Sequence, residues 1–106
     1  MSLGKREKLA ILRSLVFVVR ADNVTAPAEV AFIERFMRDF NISQSDFMEA
    51  KQMSNEDMGR IISNFTNDEK DMVKILWGSA ANADGKMLNS EIEQIAALSQ
   101  ICKIKF

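Results

Sequence analysis

Residues 77–95 read Trp77-Gly78-Ser79-Ala80-Ala81-Asn82-Ala83-Asp84-Gly85-Lys86-Met87-Leu88-Asn89-Ser90-Glu91-Ile92-Glu93-Gln94-Ile95. An apolar helical face ends in an Asn/Asp/Gly turn, and a second amphipathic helix opens around Glu91. A related pattern stands 62 residues earlier, where Ala21-Asp22-Asn23-Val24 leads to Glu29. Asp22 and Glu29 are seven residues apart, as are Asp84 and Glu91. At this offset Val30 aligns with Ile92, Ile33 with Ile95, Phe36 with Leu98 and Ile42 with Ile104. The preceding helix also repeats, with Leu15 on Trp77 and Val18 on Ala80. Two copies so far apart imply a pseudo-symmetric bundle, because a solenoid needs more repeats at shorter spacing.

Working outward, the chain reads as helical almost throughout, with one proline, four glycines and few β-branched runs. A first helix is expected over about 5–20, with Leu9, Leu12, Val16 and Val19 at helical spacing. A second covers about 26–40, with Pro27 in its first turn and Val30, Ile33, Met37 and Phe40 as an apolar stripe. Asn41 suits the left-handed residue that ends it, and Ser43 caps a third helix running to about residue 51. Ser54 or Asn55 opens a short fourth helix carrying Met58, Ile61 and Ile62. Thr66-Asn67-Asp68-Glu69 is a capping box for the fifth. The last spans about 89–102, with Ile92, Ile95, Leu98 and Ile101 expected inward. The expectation is an all-α single domain over 1–106, about six helices, with repeat halves at roughly 5–42 and 67–104 joined by short helices at 43–64.

Composition narrows the function. The 106 residues are 47% hydrophobic, enough for one core without staples. Fourteen basic against 15 acidic side chains argue against nucleic-acid or anionic-membrane binding driven by charge. A single cysteine forms no internal disulfide. The absence of histidine removes Ser-His-Asp and Cys-His nucleophile pairs and the ordinary zinc site. Lys5, Arg6 and Lys8 before an apolar stretch imitate a signal peptide, but Arg13 interrupts that stretch and the stretch belongs to the repeat. A cytoplasmic protein without membrane insertion is expected.

Asp22 and Asp84 stand in interhelical turns, and Glu29 and Glu91 in the first turn of the next helix. One reading is structural: the aspartates bond turn amides and the glutamates favour the positive end of the helix dipole. Against a capping box, the reciprocating positions hold Ala26 and Leu88. The other reading is a divalent-cation site, with calcium ahead of magnesium or manganese, because hard cations take six to eight oxygen ligands. Two carboxylates ~6 Å apart repel by about 2–3 kcal/mol at an effective dielectric of ~20, which a cation relieves. An EF-hand fits poorly: its leading aspartate is replaced by Ala80 in one copy, and Val18 and Arg20 fall on ligand positions of the other.

Ala83-Asp84-Gly85-Lys86 with Glu91, its partner Ala21-Asp22-Asn23-Val24 with Glu29, and Phe40-Asn41-Ile42-Ser43-Gln44-Ser45-Asp46-Phe47 together resemble the TerB-like family. That family takes in tellurite-resistance proteins and the N-terminal region of a membrane-anchored J-domain co-chaperone. The resemblance covers most of the chain and implies bundled helical hairpins whose acidic residues face one region. It further implies metal binding through Asp22, Glu29, Asp84 and Glu91, and a role in stress response or protein interaction. Asn23 departs from the glycine of the second copy. The resulting expectation is a non-enzymatic module binding a divalent cation, a protein partner, or both. The alternatives are a pure interaction domain whose carboxylates only cap helices and, from another class, a metal-dependent carboxylate hydrolase.

Among other residues, Met48, Met53 and Met58 read as core filler, Trp77 as a buried anchor with a partner for its indole N–H, and Cys102 as an inert buried thiol. Glu34, Asp39 and Glu93 read as solvated helix faces. Arg13, Arg20, Arg35 and Arg38 lack the aromatic interleaving of a nucleic-acid surface.

Overall fold

A computed structural model of the chain describes residues 3–19, 27–83, 85 and 89–105. Among the described residues there are six helices, α1 (Lys5–Val19), α2 (Pro27–Asp39), α3 (Gln44–Lys51), α4 (Asn55–Ser63), α5 (Asn67–Ala81) and α6 (Asn89–Cys102), and no strand. No helix among these residues is long and apolar enough to cross a membrane.

The starts of the middle helices follow from local chemistry. Ser43 accepts a hydrogen bond from the Asp46 backbone N–H and donates its own N–H to the Asp46 carboxylate; Thr66 and Glu69 do the same for α5. Ser54, rather than Asn55, caps α4. Each such cap contributes about 0.5–2 kcal/mol.

The repeat is explicit in the backbone. Shifting α1 by the 62-residue offset reproduces the bounds of α5, and α2 lands on α6 with its end one residue short. The ends match as well. Asn41 and Lys103 both take a φ of 55°. Ile42 N–H bonds Met37 O at 2.8 Å, and Ile104 N–H bonds Ser99 O at 2.9 Å. These are paired Schellman turns, each closed by a buried isoleucine. In the opening turn of each hairpin a lysine reaches across to its end: Lys8 Nζ donates to Phe40 O at 3.3 Å and Lys70 Nζ to Lys103 O at 3.4 Å.

The halves differ in what covers them. Helix α1 packs against all five other helices and buries nine of its fifteen residues, so it is apolar nearly all round. Leu9, Leu12 and Val16 are buried there, whereas their counterparts on α5 are Asp71, Lys74 and Gly78. Arg13, the one charge in the apolar run of α1, donates to Met53 O at 3.0 Å and Asn55 Oδ1 at 2.9 Å, tying the α3–α4 connection to α1.

Trp77 on α5 is fully buried and donates its Nε1–H to Ser14 Oγ on α1 at 2.8 Å; Ser14 in turn donates to Ile11 O at 2.6 Å. Ser14 and Trp77 are almost equivalent by the repeat, so α1 and α5 cross near the pseudo-symmetry axis. Helix α4 meets α6 at Gly59, where an added Cβ would fall 2.7 Å from the Ile101 carbonyl oxygen.

Three expectations need correction. Val30 is 41% exposed and Ile92 is 49% exposed, so these repeat-equivalent residues lie on the outer edge of their helices and not in the inward stripe. Met48 is likewise exposed, because α3 packs on α1 from its other side; Met58 is buried and Met53 half-buried.

Two stability outcomes follow. Gly59→Ala gains about 1 kcal/mol of helix propensity but overpacks a backbone contact at a cost of about 1–3 kcal/mol or more. Urea unfolding is therefore expected to show net destabilisation. Ser14→Ala removes the acceptor of a buried indole N–H and is expected to cost about 1–3 kcal/mol in the same assay, with little change in helix content.

Candidate functional site

Glu29 and Glu91 occupy the third residue of α2 and α6, as the spacing predicts. Both are buried, at 5% and 4% exposure. Neither is an isolated charge. Asp22 and Asp84, the other two residues of the expected constellation, lie outside the described residues, as does Arg20. Among the described residues no group of three or more His, Cys, Asp or Glu side chains is arranged to hold a metal ion. Gly85 follows α5 with a φ of 81°, a backbone conformation that favours glycine and suits the turn expected there, and its N–H bonds Asn82 O at 3.0 Å.

The burial of the two glutamates separates them from the ordinary caps of the same molecule. Asp46 and Glu69 sit at the same third position of α3 and α5, yet both stay partly open to solvent and each has a hydroxyl partner three residues earlier. The Ser43 backbone N–H, helped by the Lys5 ammonium, holds the Asp46 carboxyl below the usual aspartate range. Glu29 and Glu91 follow Ala26 and Leu88 instead, which offer no side-chain oxygen. Desolvating a carboxylate costs several kcal/mol unless strong partners compensate, so burying one in each repeat marks a position built around charge.

The helix crossing bounds where the two acidic turns begin. Val19 is five residues beyond Ser14, and Ala81 is four beyond Trp77. At 1.5 Å per residue and 8–10 Å between helix axes, the ends of α1 and α5 lie within roughly 20 Å of each other at any crossing angle.

A separate groove of about 390 Å³ runs between α1, α2 and α3, lined by Val16, Val19, Val30, Ile33, Met37 and Phe47 with Glu34 and Gln44 at its edge. Sequence reasoning missed it because the same apolar residues line a groove or fill a core with equal ease. No local signal in the sequence distinguishes the two, since the exposure of Val30 appears only once α1, α2 and α3 have packed. Glu34, Asp39 and Glu93 are exposed, as expected of solvated faces, and Arg35 pairs with Asp39 at 3.9 Å.

Cys102 is fully buried, and burial pushes its thiol up to about 12, with Lys70 opposing part of the rise. Comparisons with protein-family models, curated proteins and solved structures returned no match to this chain.

The thiol gives a pH outcome with a definite sign. In the unfolded chain it ionises near an ordinary value of about 8.5, whereas the folded state keeps it neutral to about 12. Its contribution to stability is therefore complete below about 8.5 and lost as pH rises through that window. A thiol reagent at pH 8 is expected to leave native Cys102 unmodified and to label it in denaturant. A Cys102→Ala variant is expected to lose less stability than the parent between pH 8 and 11.

Proposed function

We propose that this chain is a non-enzymatic helical module of TerB-like type. It binds a divalent cation, calcium ahead of magnesium or manganese, through Asp22, Glu29, Asp84 and Glu91, and it works by engaging a protein partner. The observation that carries the reading is the matched burial of Glu29 and Glu91 at equivalent positions of the two repeats. A glutamate that only favours the helix dipole gains about 0.3–1 kcal/mol at the surface and has no need of burial. A buried carboxylate beside an Asp-containing turn is the ligand type calcium uses, with turn carbonyls and water completing the shell. The lack of histidine anywhere in the chain supports a binding role over hydrolysis. The apolar groove between α1, α2 and α3, with Val30 open to solvent, supports the partner half of the reading.

The test is thermal unfolding of chelator-stripped protein with and without calcium, magnesium or manganese, in the parent and in Asp84→Asn. A cation at 100 times its dissociation constant stabilises the folded state by about 2.7 kcal/mol, a rise of roughly 10–20 °C for a domain of this size. The expected result is a rise in the parent that Asp84→Asn lacks. No rise with any ion overturns the cation site and leaves the acidic residues as helix-end structure.

A further inference from the structure

The groove between α1, α2 and α3 continues past the end of α3. A second concavity, of about 280 Å³, shares Val16 with it and is lined further by Arg13, Phe17, Lys51 and Gln94. The two together outline a trough along residues 13–19 of α1, with residues 30–37 of α2 as one wall. From Val30 to Met37 the wall advances about 10.5 Å along its helix axis, at 1.5 Å per residue. That is the distance between the first and last anchors, i and i+7, of a helix laid in a groove. The rim carries charge of both signs. Glu34 on the α2 side has no ion pair among the described residues, although Asp39 on the same helix pairs with Arg35. On the α3 side Lys51 Nζ stands 5.6 Å from the centre of the Phe47 ring and has no carboxylate partner among the described residues. Arg13 is already bonded to the α3–α4 connection and serves only as wall.

We propose that this trough receives an amphipathic helix of a partner protein, with apolar side chains at i, i+3 or i+4, and i+7 set between α2 and α3. A basic residue of that helix stands beside Glu34 and an acidic one beside Lys51. The elongated outline suits a rod more than a compact ligand. An extended peptide has no sheet edge to join, since there is no strand among the described residues. The larger concavity has the volume of about thirteen waters, room for three leucine-sized side chains. Rim charges of opposite sign complement a helix that bears both signs and disfavour one that bears a single sign throughout. The inference rests on the partner half of the function proposed above. Neither Glu29 nor Glu91 lines the trough, so failure of docking leaves the cation response to be judged by its own melting assay.

The experiment titrates the ¹⁵N-labelled full chain with an alanine-based helical peptide of about 17 residues. Leucines at its fifth, eighth, ninth and twelfth positions form a stripe, with lysine along one flank and glutamate along the other. A peptide of equal composition with its leucines scattered round the helix is the control. The striped peptide is expected to move the amide signals of residues 13–19, 30–37 and 44–51 and to bind about tenfold more tightly than the control. Val30→Glu, on the exposed rim, is expected to weaken it about tenfold and Glu34→Lys about threefold. Unchanged melting temperatures in both variants assign the losses to the lost contacts. The proposal is overturned if no signal moves, if only signals outside the trough move, if the control binds equally well, or if Val30→Glu binds as the parent does.

Discussion

The crossing of α1 over α5 is the constraint on which the rest of the structure depends. Trp77 is the largest fully buried side chain, and its indole N–H finds its acceptor on the other half of the repeat, at Ser14. A buried indole donor left without an acceptor carries a desolvation penalty, so this bond fixes which faces of the two helices meet. Once that contact is set, α2 and α6 each lie against both crossing helices.

Symmetry and asymmetry divide the work of the fold. The symmetric part is the hairpin, closed in each copy by the same left-handed residue, the same pair of backbone hydrogen bonds and a lysine bonded to a carbonyl at the hairpin end. The asymmetric part is α3 and α4, which wrap α1 and join the halves. They account for the apolar face of α1 where α5 is polar, and for Arg13 within an otherwise apolar run, since its guanidinium satisfies the α3–α4 connection. Gly59 serves the same wrapping by letting α4 approach the backbone of α6 at Ile101.

Much of the fold was legible because its signals are local. The capping boxes, Pro27 in the first turn of α2, the left-handed Asn41 and the positive-φ Gly85 each follow from one residue's conformational preference. The candidate site was legible only in part. Spacing alone put Glu29 and Glu91 in the first turns, but a first-turn carboxylate can be exposed or buried, and no local pattern separates the two. Val30, Ile92 and Met48 were misplaced for a related reason: an apolar residue at the edge of a helical stripe faces inward only if a neighbouring helix reaches that far.

The sequence by itself determined six helices, the capping residues of α3 and α5 and the 62-residue repeat, because helix formation and termination depend on residues within a few positions of each other. It also determined the chemistry on offer: carboxylates in place of imidazoles, and a balanced charge. Only the tertiary structure decided that both glutamates are buried, that Trp77 bonds Ser14, that Gly59 is a contact point, and that α1, α2 and α3 leave a groove between them. Those facts join residues up to 63 positions apart. Burial, close approach and concavity are properties of packed surfaces, and surfaces exist only after distant segments have met.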